Sequence, residues 1–333
     1  MRVLVCGLGS IGKRHARNLA ALGAGEVVGF DPREDRRAEA AAELGIVTVG
    51  RLDEAWEREP QVAFITAPTS LHVPLATEAA AHGCHLFVEK PLSDSFAGVD
   101  ALLETVRARG LVTLVGCNLR FHPGLVRVKR LIDDGAVGRV VAARIEVGQY
   151  LPDWHPYEDY RQGYSARRAL GGGVILDAIH ELDYARWLLG EVARVAAFAG
   201  TLSDLAIETE DVAAILLRFA SGAIGEVHLD YVQRAYSRTC HVVGTEGTIR
   251  WAYTAGAVRW YTAASGAWQE EPLPAGWEPN QMYVDELKHF LACLRSEQSP
   301  ALDVFGAARV LAVALAARQA AEDGTVVPIG DAP

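Results

Sequence analysis

The chain has 333 residues, half of them hydrophobic, and a formal net charge of −10 at pH 7. This length exceeds what one hydrophobic core usually supports, so we expect two domains. The negative charge disfavours nucleic acid or an anionic membrane as a partner, because both need clustered basic residues, and we interpret the short run Arg36-Arg37 as a solvated face.

The first 120 residues alternate short apolar runs with helical stretches. The apolar runs, which predict strands buried on both faces, are 3–6, 27–30, 62–66, 85–88 and 112–117. The helical stretches between them are 14–22, 36–44, 75–82 and 96–109. Alternation of this kind implies right-handed crossovers, so residues 1–120 are predicted to form a Rossmann domain with a doubly wound parallel sheet.

The pattern changes in residues 121–333. A helix at 124–133, a strand at 139–149 and a helix at 174–189 enclose a long polar and aromatic loop at 151–173. The paired runs 211–219 with 223–231, and 241–244 with 248–251, are joined by short turns and predict antiparallel hairpins. The second domain is therefore predicted to be α+β, with a large, mainly antiparallel sheet.

The five cysteines predict neither disulfides nor a zinc site, because their number is odd and none has CxxC spacing. The amino terminus runs into a strand without a long apolar stretch, so no secretion signal is expected. The apolar run 310–317, bounded by Arg309 and Arg318, is interpreted as a buried helix too short to cross a bilayer. We expect a cytoplasmic protein without a metal site.

A glycine-rich turn follows the first strand directly. In Gly7-Leu8-Gly9-Ser10-Ile11-Gly12 the first glycine suits a tight turn, the second a close backbone approach to pyrophosphate, and the third helix packing. The helix that begins here offers backbone N–H groups to the anion. Asp31, 19 residues after Gly12, ends the second strand and suits a ribose diol, which favours NAD. The nearby Arg33 leaves NADP possible, and the alternative role for Asp31 is helix capping.

Further motifs carry a resemblance over nearly the whole chain. The buried strand that ends in Glu89-Lys90-Pro91, taken with the glycine turn, resembles the Gfo/Idh/MocA family of sugar and cyclitol oxidoreductases. The other segments that resemble this family are 67–72, 116–123, 171–177 leading to His180, 244–247 and 283–290.

The resemblance implies a Rossmann domain followed by an open-sheet domain, with substrate held between them. It implies hydride transfer between NAD and a secondary alcohol or ketone of a sugar, sugar acid or cyclitol. Lys90 and His180 would act at the reacting carbon, where oxidation needs a proton acceptor and a donor that stabilises the alkoxide. It also implies a cis Lys90–Pro91 peptide and a homodimer or homotetramer. The implied cofactor contacts in these segments are Pro68, Thr69, His72, Glu89, Lys90 and Asn118.

The helix from residue 174 places Asp177 and His180, with Glu181 and Tyr184, on one stripe predicted to face the cleft. In many family members the corresponding His follows the Asp at an interval of four positions, whereas the interval is three here, so the role of Asp177 in catalysis or substrate binding stays open. The structural alternatives are a core histidine for His180 and a first-turn acid for Asp177.

Hydrogen-bond donors carried on rigid aromatic side chains suit a sugar substrate, because sugar hydroxyls need directional hydrogen-bond partners. The candidate substrate-binding residues, mostly in the loop 153–168, are Arg120, Trp154, Tyr160, Arg161, Tyr164, Arg168, Asp177, His180 and Arg234. For the cluster Tyr231, Arg234, Tyr236 and Arg238 a subunit interface is an equal alternative. The alternative role for Arg120 is that of a structural ion-pair partner. The alternative for His72 is that it simply begins the helix that follows it.

Two other classes of function are compatible with these motifs. A redox-assisted glycosidase would use tightly held NAD transiently and release hydrolysed sugar without net NADH. A non-catalytic NAD-binding sensor or assembly subunit would bind the dinucleotide without turnover. The presence of both Lys90 and His180 argues against a sensor, since a sensor needs no proton carriers.

Overall fold

The computed structural model describes residues 1–154 and 159–330. The chain divides into two compact units: Met1–Asn118 with Pro279–Ala308, and Leu119–Glu278 with the segment from Arg309 onward. This division differs from the predicted boundary after residue 120, since a segment far along the sequence belongs to the first unit.

The first unit contains a six-stranded parallel sheet in the order β3-β2-β1-β4-β5-β6. Its strands are β1 (Arg2–Cys6), β2 (Glu26–Phe30), β3 (Val47–Val49), β4 (Val62–Ile65), β5 (His85–Glu89) and β6 (Thr113–Gly116). Central strands such as β4 are buried along their whole length, as expected for a parallel sheet covered by helices on both faces. The order is that of a Rossmann fold, which confirms the predicted fold class.

The first unit also contains six helices among the described residues, of which the first five lie between its strands. They are α1 (Ser10–Ala21), α2 (Glu34–Leu44), α3 (Leu52–Trp56), α4 (His72–Ala81), α5 (Val99–Arg109) and, after the second unit, α9 (Asn280–Leu294). Leu287 and Phe290 of α9 are fully buried in the same core as Phe64 and Phe87 of the sheet, which is why the segment belongs to this unit.

The second unit contains a nine-stranded sheet in the order β14-β13-β12-β11-β7-β10-β9-β8-β15. Its strands are β7 (Val140–Gly148), β8 (Val192–Gly200), β9 (Val212–Phe219), β10 (Ile224–Asp230), β11 (Ser237–Gly244), β12 (Gly247–Ala252), β13 (Ala257–Thr262), β14 (Trp268–Pro272) and β15 (Val327–Pro328). All neighbours are antiparallel except β7 and β10. Both predicted hairpins, β9–β10 and β11–β12, are present.

The second unit's helices are α6 (Pro123–Asp133), α7 (Val174–Asp177), α8 (Ile179–Leu189) and most of α10 (Val304–Asp323). The single helix predicted over 174–189 is wrong in one respect, because it breaks at Ala178, where ψ is +30°.

Helix α10 is longer than the apolar run that predicted it. It has 20 residues, and by length and composition alone it is the one helix among residues 1–154 and 159–330 that qualifies as a candidate membrane span. The sequence-based argument that this segment is too short therefore fails. Core helices pass the same test, and 56% of the apolar window is buried within the protein, which agrees with the predicted buried helix.

Candidate active site

The glycine turn after β1 has the geometry of a pyrophosphate cradle. Gly7 has φ +104°, and a Cβ there would lie 2.7 Å from the Thr66 carbonyl oxygen. A Cβ on Gly12 would lie 1.9 Å from the Gly7 carbonyl oxygen, whereas one on Gly9 would meet only a guanidinium nitrogen at 3.8 Å. Open space therefore lies in front of Gly9, where backbone approaches an anion.

Helix α1 begins at Ser10 without a side-chain cap, so the backbone N–H groups of Ser10, Ile11 and Gly12 are not used by a capping residue. Thr66 closes the turn from the other side, since its hydroxyl donates to the carbonyl oxygens of Cys6 and Gly7. These residues fit a dinucleotide. Thr66 was not predicted from the sequence, because its role depends on β4 lying beside β1.

Asp31 follows β2 and is 2% exposed. Its Oδ2 accepts from the backbone N–H of Leu8 at 2.9 Å, and its Oδ1 accepts from that of Arg33 at 2.9 Å. The carboxylate is thus fixed directly beside the glycine turn, as the ribose-binding prediction requires.

The arginines after Asp31 have different partners. Arg33 pairs with Asp35 through Nε at 3.0 Å. Arg37 donates through Nη1 to the carbonyl oxygens of Asp31 and Pro32, and Arg36 Nη1 lies 3.7 Å from Asp31 Oδ2. The interpretation of Arg36-Arg37 as a merely solvated face is therefore wrong, because both side chains turn back towards the strand end.

The Lys90–Pro91 peptide is cis, as the resemblance implied. Lys90 is partly exposed, and its backbone N–H donates to Glu89 Oε2 at 3.2 Å. Glu89 Oε1 lies 2.6 Å from Nε2 of the fully buried His15 on α1. A Cβ on Gly116 would come within 3.2 Å of the same carboxyl group, so the Glu89 side chain packs tightly against this glycine. Glu89 thus anchors the turn that carries Lys90.

His72 supports the same turn from the opposite side. Its Nδ1 lies 2.7 Å from the Pro91 carbonyl oxygen and its Nε2 lies 2.8 Å from that of Ala67. Burial lowers the pKa of His72. Both ring nitrogens face backbone carbonyl oxygens, and the neutral ring donates to one of them, so the geometry gives His72 a positioning role. Its predicted neighbours Pro68 and Thr69 begin the turn before α4, with Thr69 buried.

The remaining cofactor candidate of this unit is Asn118, which is 6% exposed just after β6. The glycine turn, Asp31, the 66–69 segment, Lys90 and Asn118 thus follow β1, β2, β4, β5 and β6 in turn. Because these strands are parallel, all of them lie at the carboxyl edge of one sheet. His15 was missed, since no local pattern separates a core histidine on α1 from a partner of Glu89.

In the second unit the Asp177 carboxylate accepts hydrogen bonds from three hydroxyl groups. Its Oδ2 accepts from Ser165 at 2.6 Å and from Tyr231 at 3.0 Å, and its Oδ1 accepts from Tyr164. Burial raises the pKa of Tyr231 well above its usual value, so this hydroxyl remains a donor. Asp177 is 4% exposed and ties the predicted substrate loop to α7.

The predicted stripe of helix residues is divided between surface and core. His180 is partly exposed, but Glu181 and Tyr184 are 0% exposed. Glu181 pairs with Arg238 at 2.8 Å, and burial raises the pKa of Tyr184. The prediction that Glu181 and Tyr184 face a cleft is wrong, because the break at Ala178 and the buried ion pair turn this face inward.

Arg120 forms a bidentate ion pair with Asp183 of α8, with Nε–Oδ2 at 2.8 Å and Nη2–Oδ1 at 2.7 Å. Both side chains are buried. This arrangement favours the structural alternative for Arg120. In the second arginine cluster the exposed Arg234 lies over the Tyr150 ring at 3.6 Å, while Tyr236 is partly buried.

The other loop candidates lie near the surface of the second unit. Trp154 donates to the Gln149 carbonyl oxygen and packs edge-on against Tyr231. Arg161 pairs with Asp159, and Arg168 donates to the Glu208 carbonyl oxygen. Tyr160 accepts from the Ala206 N–H. Residues 155–158 of the predicted loop lie outside the described residues.

Among residues 1–154 and 159–330, no group of three or more His, Cys, Asp or Glu side chains is arranged to hold a metal ion. The cysteines are buried, and none of them forms a disulfide among the residues that the structure describes.

Both parts of the chain are similar to known protein families. Residues 1–117 match the model of an oxidoreductase family with an NAD-binding Rossmann fold, and residues 125–250 match the GFO/IDH/MocA C-terminal domain.

Curated relatives match over almost the full length. A scyllo-inositol 2-dehydrogenase (NAD(+)) of Bacillus subtilis (strain 168) is 30% identical, over 99% of this chain and 96% of its own. A myo-inositol 2-dehydrogenase of Thermotoga maritima is also 30% identical, over 97% of each chain.

Solved structures agree on the fold. Levoglucosan dehydrogenase, in complex with NADH and levoglucosan, superposes with a TM-score of 0.89 at 24% identity over 99% of both chains. GenD2 from gentamicin A biosynthesis, in complex with NAD, superposes with a TM-score of 0.85 at 26% identity, over 99% of this chain and 96% of its own. The chain therefore belongs to the Gfo/Idh/MocA family of NAD-dependent oxidoreductases.

Proposed function

We propose that this dehydrogenase transfers a hydride between NAD and a secondary alcohol or ketone of a sugar, sugar acid or cyclitol. One observation carries the proposal: the glycine turn, Asp31 and Lys90 follow three strands of one parallel sheet at its carboxyl edge. Ligands of such sheets bind at this edge. The near full-length similarity to two inositol dehydrogenases favours cyclitols as the first substrates to test.

In the proposed reaction the nicotinamide, when bound, supplies the hydride acceptor or donor. Lys90 and His180 supply proton transfer and stabilisation of the developing alkoxide, the two requirements of alcohol oxidation. Glu89 and His72 hold the turn that carries Lys90, so its ammonium group is attached to a fixed backbone. Asp177 holds the loop of Tyr164 and Ser165, whose neighbours supply further candidate substrate contacts.

The test is NADH formation at alkaline pH with a panel of inositols, aldoses, uronates and amino sugars, together with glycosides whose hydrolysis is followed separately. Lys90→Ala and His180→Ala are expected to lower kcat by roughly 100-fold or more, in the range of lost acid–base catalysis. NAD affinity, measured by titration calorimetry, should stay near that of the wild type. Lys288→Ala, an exposed lysine that pairs with Asp285, is the matched control and should retain full turnover.

Each outcome of the panel has a consequence. Unchanged turnover in Lys90→Ala would remove the catalytic assignment of that residue. Cleavage of glycosides without net NADH would identify the redox-assisted glycosidase instead. NAD binding without turnover of any compound in the panel would favour the sensor.

We also propose that the protein is a homo-oligomer formed through the outer face of the nine-stranded sheet. Phe198, Leu216 and Ile224, on the adjacent strands β8, β9 and β10, are 84%, 54% and 42% exposed. Strand β9 alternates buried and exposed residues, so its exposed apolar side chains share one face. Large exposed apolar patches of this kind usually mark a protein interface.

A further inference from the structure

His15 is a buried polar residue in an aromatic part of the first unit's core. It lies on α1 at 0% exposure, and its ring centroid is 4.9 Å from that of Phe87 and 5.7 Å from that of Phe64. Burying an imidazole costs free energy that an aliphatic side chain would not cost, unless the ring nitrogens have hydrogen-bond partners. Packing alone therefore does not explain a histidine at this position.

The polar contact of His15 is with one carboxylate. Its Nε2 lies 2.6 Å from Glu89 Oε1, whereas its Nδ1 has no hydrogen-bond partner among the residues that the structure describes. An ionised carboxylate only accepts hydrogen bonds, so the contact is that of an Nε2–H group donating to Oε1. The polarity of the buried ring is thus directed at Glu89.

Glu89 is 8% exposed and directly precedes Lys90. Its Oε2 accepts from the backbone N–H of Lys90 at 3.2 Å. Within the described part of the chain, no ion pair joins this carboxylate to a lysine or arginine side chain, and His15 is its one charged or titratable partner. A buried carboxylate is costly without a cation, so the hydrogen bond from His15 holds Glu89 in an arrangement that it would otherwise leave.

The charges of Glu89 and Lys90 act on the same surroundings. Burial lowers the pKa of His72 and raises that of Tyr283; to a smaller degree Glu89 raises both values and Lys90 lowers both. Such effects weaken with distance, so both charges lie near the same two rings, and the Lys90 ammonium is a nearby cation for a Glu89 side chain released by His15. The titratable and charged groups that surround this turn are His72 on α4, Arg14 on α1, and Tyr283 and Glu286 on α9.

We propose that His15 is a positioning residue for Lys90, which acts by restraining the Glu89 carboxylate. While His15 holds Oε1, Glu89 does not compete for the ammonium group that the proposed reaction uses. The inference rests on the proposed function, because it concerns the same lysine, and deepens it by adding a residue 74 positions before Glu89.

A purely structural role for His15 predicts a different result. If the ring only fills the core, replacing it changes stability and leaves the protonation of Lys90 as it was. If the ring restrains Glu89, its loss lets the carboxylate pair with the ammonium, and an opposite charge favours the protonated form. The pH at which Lys90 loses its proton therefore separates the two roles without any measurement of turnover.

The experiment is competitive labelling of the full-length chain with acetic anhydride over a series of neutral to alkaline pH values. Peptide mass spectrometry gives the pH midpoint of acetylation for each lysine. For His15→Leu we expect the midpoint of Lys90 to rise by roughly one pH unit or more, the effect of a nearby opposite charge. Lys288, an exposed lysine that pairs with Asp285, is the internal control and should keep its midpoint.

Further variants test whether the effect passes through Glu89. His15→Gln keeps an N–H donor for the carboxylate and should keep the wild-type midpoint. The double variant His15→Leu with Glu89→Gln has no carboxylate charge to pair with Lys90, so its midpoint should not rise. His82→Leu, at an exposed position stacked on Trp56, is the matched control and should label as the wild type does. Circular dichroism checks that each variant is folded, and His15→Met replaces His15→Leu if the latter is not.

Three results would overturn the inference: an unchanged or lowered Lys90 midpoint in folded His15→Leu, the same rise in His15→Gln, or a rise that persists in the double variant. With any substrate that the panel identifies, the acid limb of the kcat profile should move by the same amount as the labelling midpoint. Absence of turnover with every compound would reject the proposed function, whereas the labelling result still decides whether His15 restrains Glu89.

Discussion

Asp177, predicted as a catalytic or substrate-binding acid, holds a neighbouring loop through its hydrogen bonds. Its two carboxylate oxygens accept hydrogen bonds from the hydroxyl groups of Tyr164 and Ser165, in the loop before α7, and of Tyr231 after β10. A buried carboxylate with these donors is a fixed point to which separate segments attach. We therefore assign it a positioning role for the loop that carries Tyr164.

Asp177→Asn tests this assignment at the scale of a single residue. The amide presents an N–H₂ group where hydroxyls now donate, so we expect the free energy of unfolding to fall by about 1–3 kcal/mol. Because the loop would be less well held, KM for the substrate should rise more than kcat falls. Tyr164→Phe, which removes one of the donors, should show the same pattern in weaker form. Unchanged stability and KM with abolished kcat would instead make Asp177 a catalytic residue.

Short sequence motifs predicted part of the candidate site, but not all of it. The glycine spacing and Asp31 were predicted from local sequence, and the cis Lys90–Pro91 peptide was implied by the family resemblance. The long-range pairs that support the site were not predictable in this way. His15 with Glu89 and Arg120 with Asp183 pair across 74 and 63 residues, and only the fold brings them together.

At the scale of elements, His122 joins a helix end to an aromatic cluster. Its Nδ1 accepts from the N–H of Gly124 and so caps α6, and its ring packs edge-on against Trp251 and Trp277. Burial, and to a lesser degree the charge of Arg238, lower the pKa of His122 to about 4. The cap requires the neutral ring, since a protonated Nδ1 cannot accept.

This cap predicts a pH dependence of stability. The folded pKa lies below the unfolded value of 6.5, so between pH 6.5 and 4 the unfolded chain binds a proton that the folded chain does not. The free energy of unfolding should therefore fall as the pH is lowered through this window, by up to about 3 kcal/mol from His122. Urea unfolding at several pH values measures this loss.

The matched variant is His122→Asn, whose side-chain oxygen also caps a helix but does not titrate. Its stability should depend less on pH between 6.5 and 4 than that of the wild type, although it is lower at pH 7 because ring packing is lost. Other buried histidines contribute equally to both proteins, so the difference isolates His122. Parallel pH profiles would contradict the assignment.

Elements were predictable where they are long or regular. Strands β9 and β10 were predicted as a hairpin because two long runs are joined by a short turn, whereas β3 has three residues and an exposed Val47, which gives no apolar run. Strand β14 is exposed throughout and has no buried face to detect. The break at Ala178 escaped prediction because residues on both sides of it favour a helix.

At the scale of the whole chain, the sequence predicted two domains and a change of pattern near residue 120, but not the return of 279–308 to the first unit. Helix α9 has a buried apolar face that suits either unit equally well from sequence alone. Phe290 is assigned only by its contacts with Phe64 and Phe87, which lie more than 200 positions earlier. Long-range packing of this kind leaves no local pattern.

The outer face of the second unit's sheet is the basis for a prediction about the oligomeric state. A stable interface buries about 800 Å² on each partner and has an apolar centre. In the proposed interface Phe198 would supply this apolar centre, and Leu216 lies on the neighbouring strand. Because Phe198 is 84% exposed, changing it leaves the core of the unit intact.

We therefore expect the wild-type protein to sediment as a dimer or tetramer at micromolar concentration. Phe198→Asp and Leu216→Asp each place a charge in the contact, whose desolvation is costly, and should shift the protein towards the monomer with an unchanged circular dichroism spectrum. Phe96→Asp, at a 39% exposed position in the first unit, is the control and should keep the wild-type mass. A monomeric wild type, or substitutions on this face that leave the mass unchanged, would show that the exposed apolar side chains of β8 and β9 do not mediate assembly.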